Sequence, residues 1–132
     1  MEHQYETPNN KKRHGCVTAW LILMILVNSL GALANLFAGE VISRSISGNI
    51  SDLEIVLLGI LGVANVFFSI LLLQWKRIGF WGFILTAITA FGINMSVGME
   101  IFQSISGLIG IVILLAILQI KRNNVSAWNN LE

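Results

Sequence analysis

The sequence predicts an all-α integral membrane protein, a four-helix bundle made of two antiparallel hairpins. Three observations predict it. Four apolar runs cover roughly residues 15–38, 53–74, 78–98 and 101–120, and the only charge within them is Glu54, near one edge. Runs of about 20 apolar residues carry a helix across the ~30 Å hydrocarbon core. Seven of the eight Lys and Arg residues gather in three clusters: Lys11-Lys12-Arg13, Lys76-Arg77 and Lys121-Arg122. They fall before the first run, between the second and third, and after the fourth. All three therefore lie on one side, the cytoplasmic side under the positive-inside rule. The composition, 55% hydrophobic and 11% charged, departs from the roughly 25% charge of soluble domains.

The elements follow in order. Residues 1–14 form a polar, then basic, cytoplasmic tail, and residues 15–120 hold the four spans. The first run is too long, and begins too far from the terminus, for a cleaved signal peptide. Cys16 at its edge is the sole cysteine, so no intramolecular disulfide is expected. Residues 39–52 read as a polar outer loop, with Ser43, Ser45, Ser47, Gly48, Asn49 and Ser51, long enough for a short surface element. The outer connections hold Glu40, Asp52, Glu54 and Glu100 against a single basic residue, Arg44. Trp75-Lys76-Arg77 and Ser96-Val97-Gly98-Met99-Glu100 are tight turns that make consecutive spans antiparallel neighbours. In the inner tail, 121–132, Val125, Trp128 and Leu131 recur every three residues, which predicts one or two helical turns at the interface.

Trp20, Trp75 and Trp81 fall near the inner ends of spans, with Trp128 in the tail. Indole rings favour the headgroup level. Together with Lys11, Lys12, Arg13, Lys76, Arg77, Lys121 and Arg122 they form the expected set of inner-face anchors.

A weak internal repeat accompanies this layout. Lys12-Arg13-His14-Gly15 and Lys76-Arg77-Ile78-Gly79 open spans one and three. Leu73-Gln74-Trp75-Lys76-Arg77 and Leu118-Gln119-Ile120-Lys121-Arg122 close spans two and four, and Gly59-Ile60-Leu61-Gly62 resembles Gly107-Leu108-Ile109-Gly110. A duplicated hairpin would relate the halves as a parallel repeat, about an axis along the membrane normal. Membrane topology alone also generates basic boundaries and helical glycines.

Every span carries a small or polar stripe at steps of three and four, which keeps it on one helix face. The stripes are Asn28, Ala32, Asn35 and Gly39; Gly59, Gly62, Asn65 and Ser69; Gly82, Thr86, Ala90 and Asn94; and Gln103, Ser106 or Gly107, and Gly110. Small residues let helices approach closely in lipid, and amide side chains bond across helices for about 0.6–2 kcal/mol each. The stripes are expected to face inward, while Leu57, Phe83 and Leu114 face lipid. Asn28, Asn65 and Asn94 also suit a polar cavity wall, although four helices leave little lumen.

Missing groups bound the chemistry. No ionisable residue occupies the middle of a span, which weakens proton-coupled transport. His3 and His14 lack metal-ligand spacing, and span Ser and Thr residues have no His or Asp partner to activate them. No phosphate-binding glycine loop occurs. The expectation is a non-enzymatic protein with no cofactor and no bound metal or nucleic acid. It would act in the bilayer through helix contacts, as an accessory subunit, regulator or immunity-type factor. The partner would be a second copy or another membrane protein. The alternative is a small oligomeric pore or permease, motivated by the span amides.

The ending carries a resemblance. Lys121-Arg122, then Ser126-Ala127-Trp128 and Leu131, is similar to the ending of small uncharacterised bacterial four-span inner-membrane proteins. It covers about a dozen residues and implies location in a bacterial inner membrane, while the basic clusters put both termini on the cytoplasmic side. It implies no activity.

Overall fold

A computed structural model describes residues 13–45, 50–122 and 124–132. Lys11, Lys12, Ser47, Gly48, Asn49 and the side chain of Arg122 lie outside the described residues. The spans are α1 (Gly15–Phe37), α3 (Asp52–Leu73), α4 (Ile78–Ser96) and α5 (Ile101–Leu118), and a short α2 (Gly39–Ser45) occupies the polar connection. Each span ends within two residues of its expected boundary. At 1.5 Å per residue, the 18 residues of α5, the shortest span, reach about 27 Å, close to the hydrocarbon thickness.

Local chemistry sets these ends. His14 Nδ1 accepts the Cys16 N–H at 3.2 Å, satisfying one of the unpaired donors of the first turn of α1. Before α3, the Glu54 carboxylate folds back to accept the Ser51 N–H at 2.7 Å and the Ser51 hydroxyl at 2.9 Å. Ser-x-x-Glu is the capping-box spacing, and it stops the helix where the apolar run begins. Both tight turns close as Schellman motifs. After α3, Lys76 N–H reaches Leu71 O and Trp75 N–H reaches Leu72 O; after α4, Met99 N–H reaches Asn94 O and Gly98 N–H reaches Met95 O. The left-handed position is Gly98, φ +74°, in one turn and Trp75, φ +66°, in the other.

Side-chain burial makes this an integral membrane four-helix bundle. Between 17% and 28% of the hydropathic window of each span is buried inside the molecule, so most of its apolar surface points outward. Leu30, Leu85 and Val112 are each about two-thirds exposed. Water would penalise such surface at roughly 25 cal/mol per Å²; lipid does not. The helices pack in series, α1 on α3, α3 on α4 and α4 on α5, while α1 meets α5 sparsely. The ring is therefore left partly open between its first and last spans.

The core sits at the basic end. Val17 and Leu21 of α1, Leu72 of α3, Phe80 and Phe83 of α4, and Leu114 and Leu118 of α5 form one buried cluster. Phe83 and Leu114 are thus core residues and not the lipid-facing positions expected from their apolar flanks. Apolar character alone cannot separate a lipid face from a core in a membrane helix, since both are apolar.

The tail joins this cluster through Ala127 and Leu131. Two-residue strands, β1 (Lys121–Arg122) and β2 (Val125–Ser126), pair antiparallel, too short to add a sheet layer to the all-α architecture. One 3-10 turn over Trp128–Asn130 follows. Glu132 N–H then donates to Trp75 O at 2.7 Å, and Arg77 N–H donates to Glu132 O at 2.6 Å. The expected interfacial helix with Val125, Trp128 and Leu131 on one face is replaced by a chain folded under the bundle. Asn124 breaks the helical period by taking φ +65°, a conformation Asn tolerates better than most residues. Val125 is exposed while Leu131 is buried.

Candidate functional site

At mid-membrane depth the inward stripes meet in a bonded chain. Asn28 lies 13 residues into α1, about 20 Å from its start at 1.5 Å per residue. Its Nδ2 donates to Met24 O at 2.8 Å. Its Oδ1 accepts from Asn65 Nδ2 of α3 at 3.1 Å. The Thr86 hydroxyl of α4 lies 2.5 Å from Asn65 Oδ1 and 3.0 Å from Phe83 O, and its single proton serves one of them at a time. Three helices are thus tied through two amides and a hydroxyl. Below them Ser69, fully buried, returns its proton to Asn65 O at 2.9 Å.

Glycines and alanines bring the same helices together. A side chain at Gly62 would meet Ala32 Cβ at 3.0 Å, and one at Gly59 would meet Leu36 at 2.9 Å and Asn35 Cβ at 3.3 Å. At Gly82 an added Cβ would run into the Phe68 ring, and at Gly79 it would lie 2.6 Å from Phe68 O. The stripes of α1 and α3 and the Gly82–Thr86 part of the α4 stripe therefore lie where helices meet, with Asn28, Asn35, Asn65, Gly82 and Thr86 between helices.

The fourth stripe behaves differently. Gln103 is exposed and Ser104 takes the buried position, so the inward face of α5 is displaced by one residue from the expected line. Added side chains at Gly107 and Gly110 would find open space. The reason is geometric: Gly82 at the start of the α4 stripe is engaged with Phe68 of α3, and α5 packs through Ser104, Leu114 and Leu118 instead.

This leaves a cavity between α1 and α5. One compartment, about 320 Å³, is walled by Trp20, Met24, Asn28, Thr86, Gly107 and Gly110, among others. An adjoining one, about 410 Å³, extends along Gly31, Asn35, Gly62 and Asn94. Val27, Asn28, Asn65, Ala90 and Ser106 border both. Asn94 lines the cavity, as its amide suited it to do, and Ala90, expected in the packing stripe, lines it too. Among the described residues, no charged side chain borders either compartment. Asn28 and Asn65 each keep a second amide N–H with no acceptor among the described residues, since an amide nitrogen carries two. Among the described residues, Trp20 Nε1 is the buried side-chain nitrogen or oxygen that lacks a hydrogen-bond partner.

Several expected anchors prove to be internal fasteners. Arg13 donates to Leu73 O and stacks 4.1 Å above the Trp75 ring. A cation there complements the carbonyl end of α3, and burial lowers the Arg13 pKa from its ordinary value. Arg77 donates to Leu131 O at 3.3 Å and lies 5.5 Å from the Trp128 ring, which in turn meets Phe80 edge-on at 5.0 Å. Trp20 packs partly against the core. Trp81 is 58% exposed, as an interfacial anchor requires, and Lys76 and Lys121 are exposed as well. The described members of the three basic clusters do come to one end of the bundle.

Among the described residues, no group of three or more His, Cys, Asp or Glu could hold a metal ion. Fold and burial define the class, an integral membrane protein with four helices able to span the bilayer. The chain matches no family model, no curated protein and no solved structure.

Proposed function

We propose that this is a non-enzymatic membrane protein that acts through helix contacts, as an accessory subunit, regulator or immunity-type factor. The observation that carries this reading is a second small stripe on α4, facing outward. Thr89, Gly92 and Ser96 are exposed, at steps of three and four. A side chain added at Gly92 would meet nothing. The hydroxyls are satisfied within their own helix, by Leu85 O and Ile93 O. Such a face lets a second backbone approach closely, which is how helices associate in lipid. The partner is a second copy or another membrane protein. The basic clusters support both termini on the cytoplasmic side, and the resemblance of the ending supports a bacterial inner membrane.

The test is association in lipid. Cross-linking of the wild type in liposomes should trap a dimer or higher oligomer, or a membrane partner in native membranes. Gly92→Leu should abolish the cross-link and leave thermal stability unchanged. Undiminished cross-linking in Gly92→Leu would reject α4 as the contact face. Cysteine accessibility at Met99 and Asn124, in a Cys16→Ser background, should report opposite sides.

A second reading rests on the cavity. Asn28, Asn65 and Asn94 line it, so an oligomer that joined such cavities would form a small pore or permease for ions or solutes. Solute flux into liposomes that disappears with Asn65→Leu, at unchanged stability, would favour it over the first.

A further inference from the structure

We propose that the outer half of the bundle is a water-filled vestibule, closed at its inner end, that takes a small neutral solute carrying both hydrogen-bond donors and acceptors. Its wall holds both kinds of group. Asn35 of α1 and Asn94 of α4 make no side-chain hydrogen bond among the described residues, so each offers an amide oxygen and two N–H groups. Trp20 Nε1 is the buried side-chain nitrogen or oxygen without a partner among the described residues, so the free amide atoms of Asn35 and Asn94 are open to the space beside them. Asn28 and Asn65 add one N–H each. Hydrocarbon answers none of these groups, whereas water, which needs two to four polar partners, finds them here.

Depth makes this a vestibule and not a passage. Asn35 and Asn94 each lie two residues, about 3 Å, from the outer ends of α1 and α4. Asn28 lies seven residues deeper than Asn35, about 10 Å. From there inward the wall turns apolar, through Leu23, Met24, Ala87 and Trp20. Beneath these, Val17, Leu21, Phe83, Leu114 and Leu118 fill the bundle, none more than 3% exposed. Ala127 and Leu131 of the tail complete that plug.

The wall also selects the occupant. Among the described residues no charged side chain borders either compartment, so an ion would lose its hydration without compensation. The outer compartment, about 410 Å³, falls in the roughly 300–1,000 Å³ range of small-molecule sites. A neutral molecule with both a donor and an acceptor pairs with the amides of Asn35 and Asn94; an acyl chain pairs with neither. On the lipid side, Leu23 and Val27, 49% and 58% exposed, flank the gap between α1 and α5. Lipid seals that flank, and the outer end supplies the water.

The experiment uses the full chain in right-side-out and inverted membrane vesicles, with single cysteines in a Cys16→Ser background. The probe is iodoacetamide in the bath, small and neutral, with glutathione sealed inside to consume reagent that crosses the bilayer. Met99→Cys and Asn124→Cys mark the outer and inner sides. Ala90→Cys, bordering both compartments, should react at least tenfold faster from the Met99 side than from the Asn124 side. Ile88→Cys, at a lipid-facing position 57% exposed, should react slowly from both. Butyramide should slow Ala90→Cys labelling saturably, while butyrate and butylammonium should need at least tenfold higher concentrations. Asn94→Leu removes no side-chain hydrogen bond among the described residues, so it should keep thermal stability and abolish that protection; Asn35→Leu repeats the test from α1. Ser106→Cys, on α5, is the second reporter should Ala90→Cys not fold. Equal reaction from both sides would mean an open pore, and reaction from neither a dry or covered cavity. Either result, equal protection by butyrate, or protection that survives both Asn→Leu variants would overturn the proposal. Gly92, on a different helix face, does not enter this measurement, so the proposed contact face stands or falls separately.

Discussion

The two hairpins carry the same glycine signature and use it in opposite ways. Gly59 and Gly62 of α3 are pressed against Leu36, Asn35 and Ala32 of α1, whereas Gly107 and Gly110 of α5 face open space. The difference lies in what stands opposite. In the first hairpin, α1 presents Asn28, Ala32 and Asn35 to α3, small and polar against small and polar. In the second, α4 already packs against the Phe68 side of α3 through Gly79 and Gly82. One helix face cannot serve two neighbours, so α5 meets α4 through larger side chains, and its own stripe lines a cavity. If the halves arose by duplication, their packing has not stayed equivalent. A glycine stripe therefore signals that a helix can approach, not that one does.

The largest effect should come from disturbing the α3–α4 seam. Gly82→Leu places several carbons inside the Phe68 ring, and overpacking of this kind costs about 3 kcal/mol or more where the neighbour cannot move aside. Thermal unfolding in detergent should show a large loss, and Gly79→Ala should also destabilise, because Phe68 O and Leu72 are backbone-fixed. Full stability of Gly82→Leu would mean that α4 turns another face to α3.

Asn65→Leu should come next. Asn65 links Asn28 to Thr86, so its loss removes bonds to both neighbours and leaves Asn28 Oδ1 without its donor. At about 0.6–2 kcal/mol per interhelical bond, a loss near 2 kcal/mol is expected, and more than for Asn28→Leu. A double-mutant cycle between positions 28 and 65 reads the pair directly, and a coupling of zero would remove the bonded chain from this account.

A smaller effect separates the two turns. Gly98 holds the left-handed position that an L side chain resists, so Gly98→Ala should cost about 1 kcal/mol. Trp75 occupies the equivalent position at the basic end despite that penalty, held by Arg13 above its ring and by Glu132 on its carbonyl. Arg13→Ala should therefore lower stability by about 1 kcal/mol through the lost stacking and the uncapped Leu73 carbonyl. The smallest change belongs to Leu57→Ala on the lipid-exposed side of α3, expected below about 0.5 kcal/mol.

The spans were legible because hydropathy and charge clusters act over 20 residues and tolerate local error. Asn28 and Asn65 were legible because amides are rare in apolar helices and must find partners; Asn94, grouped with them on the same ground, lines the cavity, and its place in the bonded chain is taken by Thr86, legible only as a member of the α4 stripe. Other features were hidden for physical reasons. Phe83 and Leu114 look like any lipid-facing residue, and Gln103 differs from Ser104 by one step of rotation that no pattern fixes. The fold of the tail under the bundle depends on Asn124 in a left-handed conformation and on backbone bonds from Glu132, neither of which leaves a periodic trace. The Ser51–Glu54 capping box has the Ser-x-x-Glu spacing, but it sits at the end of a loop holding several serines, and only the Glu54 carboxylate reaching back to Ser51 singles that one out.

The contrast between the hairpins is tested most directly by one pair of substitutions in nanodiscs, with thermal unfolding as the readout. Gly62→Leu would have to displace Ala32 and the Asn28 backbone, and it should destabilise by about 1–3 kcal/mol. Gly107→Leu enters open space in a helix that gains propensity from losing a glycine, and it should leave stability unchanged or slightly raised. Equal destabilisation by both would contradict the account, because it would mean that the α5 stripe is packed against another helix as closely as its counterpart in α3.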